Sequence, residues 1–355
     1  MRRQRFLSTC LAFVFGLVVA VGCAGSPPSE TTSSESSASS EPSTEVAAAE
    51  GAPLVVGYSN WPGWLPWAVA EEKGLFEANG ANVELKWFDG YLASMEAFAA
   101  GQLDGNGQTL NDTISFAADA ANGEVVVLVN DNSAGNDKVI VAEGINSVED
   151  LKGKTVALEE GVVGDFMLTQ ALEEAGMSRS DITIKNLETG AAAAAFASGQ
   201  VDAVAAWPPF WGIALEREGS KELLSSKDYP GAIPDLLVMS QKVIDEQPEQ
   251  VQAMVNTWFA TLDYIAKNPE ESNKIMAKRS GVSVEEYEDF KAGTRIFTIE
   301  ENLEAFSEGD GMKYMPFAAQ KMNDFMIDVG FIEAGPEDLG AILDDSFVKA
   351  YAEGS

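Results

Sequence analysis

Histidine is absent from all 355 residues, and there are only two cysteines. The first absence removes Ser-His-Asp and Cys-His nucleophile systems and the usual zinc ligand sets. The second leaves no disulfide in the body of the chain, because Cys10 and Cys23 both lie in the first 23 residues. An exported protein with a large core can do without one. Basic residues are scarce: 23 Lys and Arg stand against 56 Asp and Glu, a net charge of −33. That balance excludes nucleic acid as a partner, because phosphate contacts need a basic surface. It reads instead as a solvated acidic exterior. After Val21 there is no further run of 18 apolar residues that could span a membrane. The phosphate-loop pattern also fails, since Gly153-Lys154-Thr155 lacks the Gly that the pattern requires at Val148. Acid pairs such as Glu159-Glu160 are too common here to mark a glycosidase. No catalytic residue, metal site or cofactor is expected.

What is present starts with a leader. Met1-Arg2-Arg3-Gln4-Arg5 is basic, and Phe6 to Val21 is apolar and uncharged. A run this short after a basic start reads as a secretory signal, since a spanning helix needs roughly 20 residues. Ala20-Val21-Gly22-Cys23 resembles a bacterial lipobox, which implies cleavage and a lipid on Cys23. Residues 1–23 are therefore expected to be a lipoprotein signal peptide, placing the chain in the periplasm or at the cell surface. Residues 24–52 read as a disordered tether. Their central run, SPPSETTSSESSASSEPSTEVAAAE, has nine Ser, five Glu and no basic or aromatic residue. It cannot bury enough surface to order itself. A flexible chain of that length spans about 28 Å.

The body alternates apolar strands with helices. Strands are expected over 54–58, 83–88, 124–129, 139–141, 155–158, 182–187 and 201–205, with helices between them. That alternation implies an α/β fold with mostly parallel sheets. The pattern restarts after residue 138, which suggests two lobes in series. From residue 248 helices dominate. Val251, Met254, Val255, Trp258, Phe259, Leu262 and Ile265 keep the i, i+3, i+4, i+7 spacing of an amphipathic helix.

The segments EEKGLFEANGANVEL, WFDGYLASMEAFAAGQLDG, SVEDLKGKTVAL, AAAAAFASGQVDAVAAWPPF and PEQVQAMVNTWFATLDYIAKNP occur in that order. Together they resemble the ABC-transporter solute-binding proteins of the nitrate, sulfonate, taurine and thiamine-precursor type. The resemblance covers essentially all of 53–350. It implies a two-lobe type II periplasmic binding protein fold, hinged by two crossover strands near Lys138–Ala142 and Asp235–Ser240. Lobe 1 would take 53–140 plus 238–355, and lobe 2 would take 141–237, with the C-terminal helices packed on lobe 1. It also implies a monomer that closes on a small molecule and then docks on an ABC permease with its ATPase subunits. The stretch from WFDGYLASMEAFAAGQLDGNGQTLND to VLVNDNSAGNDKVIV is similar to a subgroup associated with guanidine import.

Ligands of open α/β sheets sit outside the carboxyl ends of the strands. The loops there supply Trp61, Asp89, Tyr91, Gln108, Thr109, Asp112, Asn132, Asp165, Trp207 and Phe210 as candidate ligand-binding residues. Trp64, Trp67 and Trp211 are assigned to packing, and Asp89, Asp112 and Asp165 are equally well placed to cap helices. Between residues 54 and 137 only Lys73 and Lys86 are basic, against twelve acidic residues. Aromatic faces with carboxylates suit a cation, and planar guanidinium matches that set best. The alternatives are taurine, an aliphatic sulfonate, nitrate or a thiamine-precursor pyrimidine as ligand, or a sensory binding lobe in place of a transport component.

Overall fold

Eleven strands order the chain into two sheets in a computed structural model, which describes residues 52–354. The leader, Cys23 and the tether up to residue 51 lie outside the described residues. The strands are β1 (Leu54–Tyr58), β2 (Val83–Trp87), β3 (Gly105–Thr109), β4 (Val125–Ser133), β5 (Lys138–Val141), β6 (Thr155–Leu158), β7 (Thr183–Asn186), β8 (Ala203–Ala206), β9 (Lys221–Ser225), β10 (Pro234–Met239) and β11 (Thr294–Ile296). The first sheet runs β11-β4-β10-β3-β1-β2, and the second runs β7-β6-β8-β5-β9. In the first, β1 pairs in parallel with β2 and β3, while β10 lies antiparallel between β3 and β4. In the second, β6 is parallel to β7 and β8, and β5 is antiparallel to β8 and β9.

These are the two lobes of the expected fold class. β4 and β10 are buried along their whole length, as central strands covered on both faces must be. β5 belongs to the second sheet and β10 to the first, so the chain passes between lobes at 134–137 and 226–233. Those passages lie just before the stretches expected to hinge.

Helices after each parallel strand cover both sheets. Pro248–Lys267 starts with Pro in its first turn, where no N–H is needed, and buries Val251, Met254, Val255, Trp258 and Phe259. Trp258 meets Trp67 at 4.8 Å, which seats this helix against Pro66–Glu72 in the first lobe. The helices Pro269–Ser280 and Val284–Ala292 enclose Leu65, Ala68 and Val69 from the same lobe. The segment after Met315 also touches the second lobe: Phe325 and Phe331 pack edge-on against Phe166. Among the described residues, no helix is long and apolar enough to cross a membrane.

Candidate functional site

A small cavity lies between the lobes, lined by Ser59, Trp61, Trp64, Tyr91, Thr109, Asp137, Val163, Trp207 and Asp235. Each strand contributes through its end. The loop after β1 brings Ser59, Trp61 and Trp64, the turn after β2 brings Tyr91, and β3 ends on Thr109. Asp137 stands in the first passage between lobes. The second lobe adds Val163 at the start of helix Val163–Glu174 and Trp207 directly after β8. Tyr91 and Trp207 meet edge-to-face at 5.8 Å across the cleft, so the two walls are in contact. The free room for centres of water-sized atoms is about 20 Å³. That is room for about one water molecule, so the two walls are closed tightly on each other.

The register of β10 brings carboxyls together. Asp235 sits opposite Thr109 on β3 and opposite Asp131 on β4. Asp131 accepts the Trp61 indole N–H at 3.0 and 3.3 Å and is the cross-strand neighbour of Asp235. Burial drives both carboxyls well above the usual carboxylate range, and the neighbouring Asp131 raises Asp235 further. Burial also raises Asp137 to about 6. Of the buried polar atoms on lining residues that lack a partner, two are carboxylate oxygens, Asp137 Oδ2 and Asp235 Oδ2. The third is a donor, Trp64 Nε1.

Asp112 lies one layer behind the wall. It accepts from Tyr91 Oη at 2.8 Å, Thr109 Oγ1 at 2.7 Å and Asn111 Nδ2 at 2.7 Å. Desolvation raises it to about 7 despite these bonds. Tyr91 in turn accepts the Thr109 N–H at 3.0 Å. No lysine or arginine lines the cavity. The second lobe's Lys138 is held by Glu222 and lies over the Trp211 ring, and Arg179 is paired with Asp165. Among the described residues, no group of three His, Cys, Asp or Glu converges to hold a metal ion.

Of the ten expected residues, Trp61, Tyr91, Thr109 and Trp207 line this cavity, and Asp112 supports it. The other five do not. Asp89 is exposed, accepts the Trp87 indole N–H at 2.9 Å and caps no helix. Gln108 was read in a ligand loop but lies inside β3, bonding Thr113, Glu124 and Asn106. Asn132 lines a separate groove of about 380 Å³, which the Lys227, Arg295 and Lys313 side chains also border. Asp165 is held by Arg179 Nε and Nη2 at 3.0 and 2.6 Å and by the Gly161 N–H. Phe210 packs against Gly190 and the core of the second lobe.

Ser59, Trp64, Asp137, Val163 and Asp235 line the cavity as well, outside the ten expected residues, though Trp64 and Asp137 stand in loops that follow strands as the ten do. Trp64, assigned to packing, does pack, meeting Tyr91 at 5.7 Å, and is wall as well. Asp235 carried one signal: it is the single charge in the apolar run Ala232–Met239.

The profile of the NMT1/THI5-like family matches residues 61–272. The chain belongs to that family. A Brucella abortus (strain 2308) protein named as a presumed binding protein is 31% identical over 269 residues, covering 74% of this chain and 83% of that one. The taurine-binding periplasmic protein of Escherichia coli (strain K12) is 27% identical over 228 residues, 61% of this chain and 70% of that one. Among solved structures, the alkanesulfonate-binding protein SsuA of Xanthomonas axonopodis pv. citri, bound to MOPS, superposes with a TM-score of 0.69. It is 22% identical over 84% of this chain and all of that one, a likeness of fold. This NMT1/THI5-like chain thus has the periplasmic binding protein architecture that the resemblance of its ordered segments implied.

Proposed function

We propose that this solute-binding protein of the ABC-importer type captures a compact organic cation, guanidinium being the best match. The carrying observation is the charge of the cleft. Asp137 and Asp235 face it, Asp131 and Asp112 stand directly behind, and no basic residue lines it. Three indoles and a phenol supply the remaining wall, and their faces attract cations. A planar guanidinium can donate to two carboxylates at once while stacking on an aromatic ring. Relatives named for sulfonates and taurine bind anionic groups. A sulfonate here would meet two buried carboxyls, with two more behind them, and no guanidinium or ammonium group.

Capture needs no covalent chemistry. Ligand binds one wall and gains contacts with the other only when the lobes close, so closure is favoured by the difference in affinity between the two states. The closed form then docks on the permease of the importer. In this proposal Cys23 carries a lipid, residues 24–52 act as the tether, and the body works as a monomer at the membrane surface. The lipobox-like Ala20-Val21-Gly22-Cys23 and the Ser- and Glu-rich run support that layout.

Calorimetric titration of the mature protein with guanidinium chloride, taurine, ethanesulfonate and sodium nitrate tests the cargo. Saturable heat with guanidinium alone is expected. Saturation by taurine or nitrate, with none by guanidinium, would sink the cation reading.

A further inference from the structure

We propose that Asp131 and Asp235 are the charge-selecting pair of this protein, and that a monocation enters the cleft in exchange for a proton held between their two carboxyls. The inference rests on reading the cleft as a cation site and adds how that site chooses charge.

The geometry comes from three strands. β10 places Asp235 directly across from Asp131 on β4, and both side chains are almost wholly buried. Two carboxyls facing each other this way can bond to one another only if one of them carries a proton. Little else can settle Asp131. Its one other side-chain donor is the neutral Trp61 indole, and Gly63 presses against its far side so closely that a Cβ there would fall 1.6 Å from Oδ2. On Asp235, Oδ2 has no partner, and the residue faces the cavity.

The groups that face this pair offer no compensating charge. From β3 comes Thr109, from the helix after it Asp112, and from the passage between lobes Asp137. From helix Val284–Ala292 comes the neutral phenol of Tyr287. All four of these neighbours are neutral or acidic oxygen groups, and none is basic. Lys138, next in sequence to Asp137, is engaged by Glu222. Two ionised carboxyls in contact without a cation are strongly disfavoured in a dry site. The empty cleft therefore keeps a proton on the pair.

A guanidinium seated against Asp235 changes that balance. It supplies the positive charge and the donors that the proton had supplied. The proton leaves to solvent, both carboxyls become anionic, and the charge of the site is conserved. A neutral ligand cannot release the proton, and a zwitterion brings its own anion into the same carboxyl cluster. The pair thus selects net charge, while the indoles select shape.

The test is calorimetric titration of guanidinium chloride into the mature protein, in two buffers of different ionisation enthalpy, from pH 6 to pH 8. Guanidinium itself does not titrate in that range, so any buffer-dependent heat reports protons from the protein. Release of close to one proton per ligand near pH 7 is expected, with affinity weakening by up to about tenfold for each pH unit lost. Binding with no proton release at any of these pH values would overturn the exchange while leaving the cation site standing. No binding at all would overturn both. Asp235→Asn assigns the source: proton release should disappear in that variant. Release that persists would place the proton on Asp112 or Asp137 and refute the role given to the pair.

Discussion

Replacing Gly63 with alanine probes the cleft without changing any charge. Gly63 has no left-handed backbone angle, so the main chain tolerates a side chain there. The obstacle is Asp131. A Cβ at position 63 would lie 1.6 Å from Asp131 Oδ2, 2.1 Å from Cγ and 2.6 Å from Oδ1. To reach ordinary contact near 3.4 Å, the carboxyl must retreat by about 1.8 Å. Asp131 is fully buried and its side chain is short, so it has nowhere to swing. The retreat breaks the 3.0 Å bond from Trp61 Nε1 and the contact with Asp235. Losing a hydrogen bond to a charged or proton-sharing group costs about 1.5–3 kcal/mol. Gly63→Ala is therefore expected to lower unfolding free energy by about 2 kcal/mol in urea titration. It should also weaken guanidinium binding by about tenfold or more, since about 1.4 kcal/mol is a factor of ten. Calorimetry measures the second effect. A variant with wild-type stability and wild-type affinity would show that Asp131 is not held where the cavity argument needs it.

Three further outcomes follow from the same contacts. Tyr91→Phe removes the donor to Asp112 and the acceptor of the Thr109 N–H, both buried, and should cost about 1–3 kcal/mol of stability by urea unfolding; a cost below about 0.5 kcal/mol would contradict the network. Arg179→Met strips the two charge-assisted bonds from the fully buried Asp165. Because Arg179 itself is partly exposed, a loss of about 2 kcal/mol is expected, below the range for fully buried pairs, with ligand affinity unchanged within threefold; a large loss of affinity would return Asp165 to the site. In the ligand-free protein, burial lifts Asp112 and Glu159 to about 7, Glu124 to about 8 and Asp137 to about 6. Unfolded, these groups titrate near pH 4, so the folded state binds more protons between about pH 4 and pH 8. Their stabilising contribution is complete below pH 4 and is lost as pH rises through 6–8. The slope is about 1.4 kcal/mol per pH unit for each proton of difference. Melting temperature at fixed ionic strength should fall from pH 5 to pH 8, and a flat or rising profile would refute these directions.

The lobes were legible because their strands are apolar runs separated by amphipathic helices. β1, β4, β6 and β8 announce themselves with Val, Leu and Ala. β3 does not: GNGQT has no apolar residue, although every position in it is buried. Its buried polar side chains are accommodated because Gln108 bonds Asn106, Thr113 and Glu124 within the lobe, a network that periodicity cannot reveal. That is why Gln108 was read as a ligand contact. Asp89 and Asp165 were legible as loop carboxyls but not as partners of Trp87 and Arg179, since such pairings depend on where distant side chains reach. The shortage of bases before residue 137, on which the proposed sign of the cargo rests, was readable in the sequence. The pairing of Asp131 with Asp235 was not, because it depends on the register of two strands 101 positions apart, with β4 ending at Ser133 and β10 starting at Pro234.

The insertion of β10 between β3 and β4 also dictates an order of assembly. The second sheet is built from one continuous stretch, Lys138 to Ser225, and can pair as it emerges from synthesis or export. The first sheet cannot. Until β10 arrives, β3 and β4 each present an open edge, and such edges are liable to pair with the wrong strand. Long-range pairing of this kind is also slow. The carboxyl pair that would choose the cargo therefore exists in no partial chain. It forms at the moment the second lobe has been completed and its trailing strand returns to close the first.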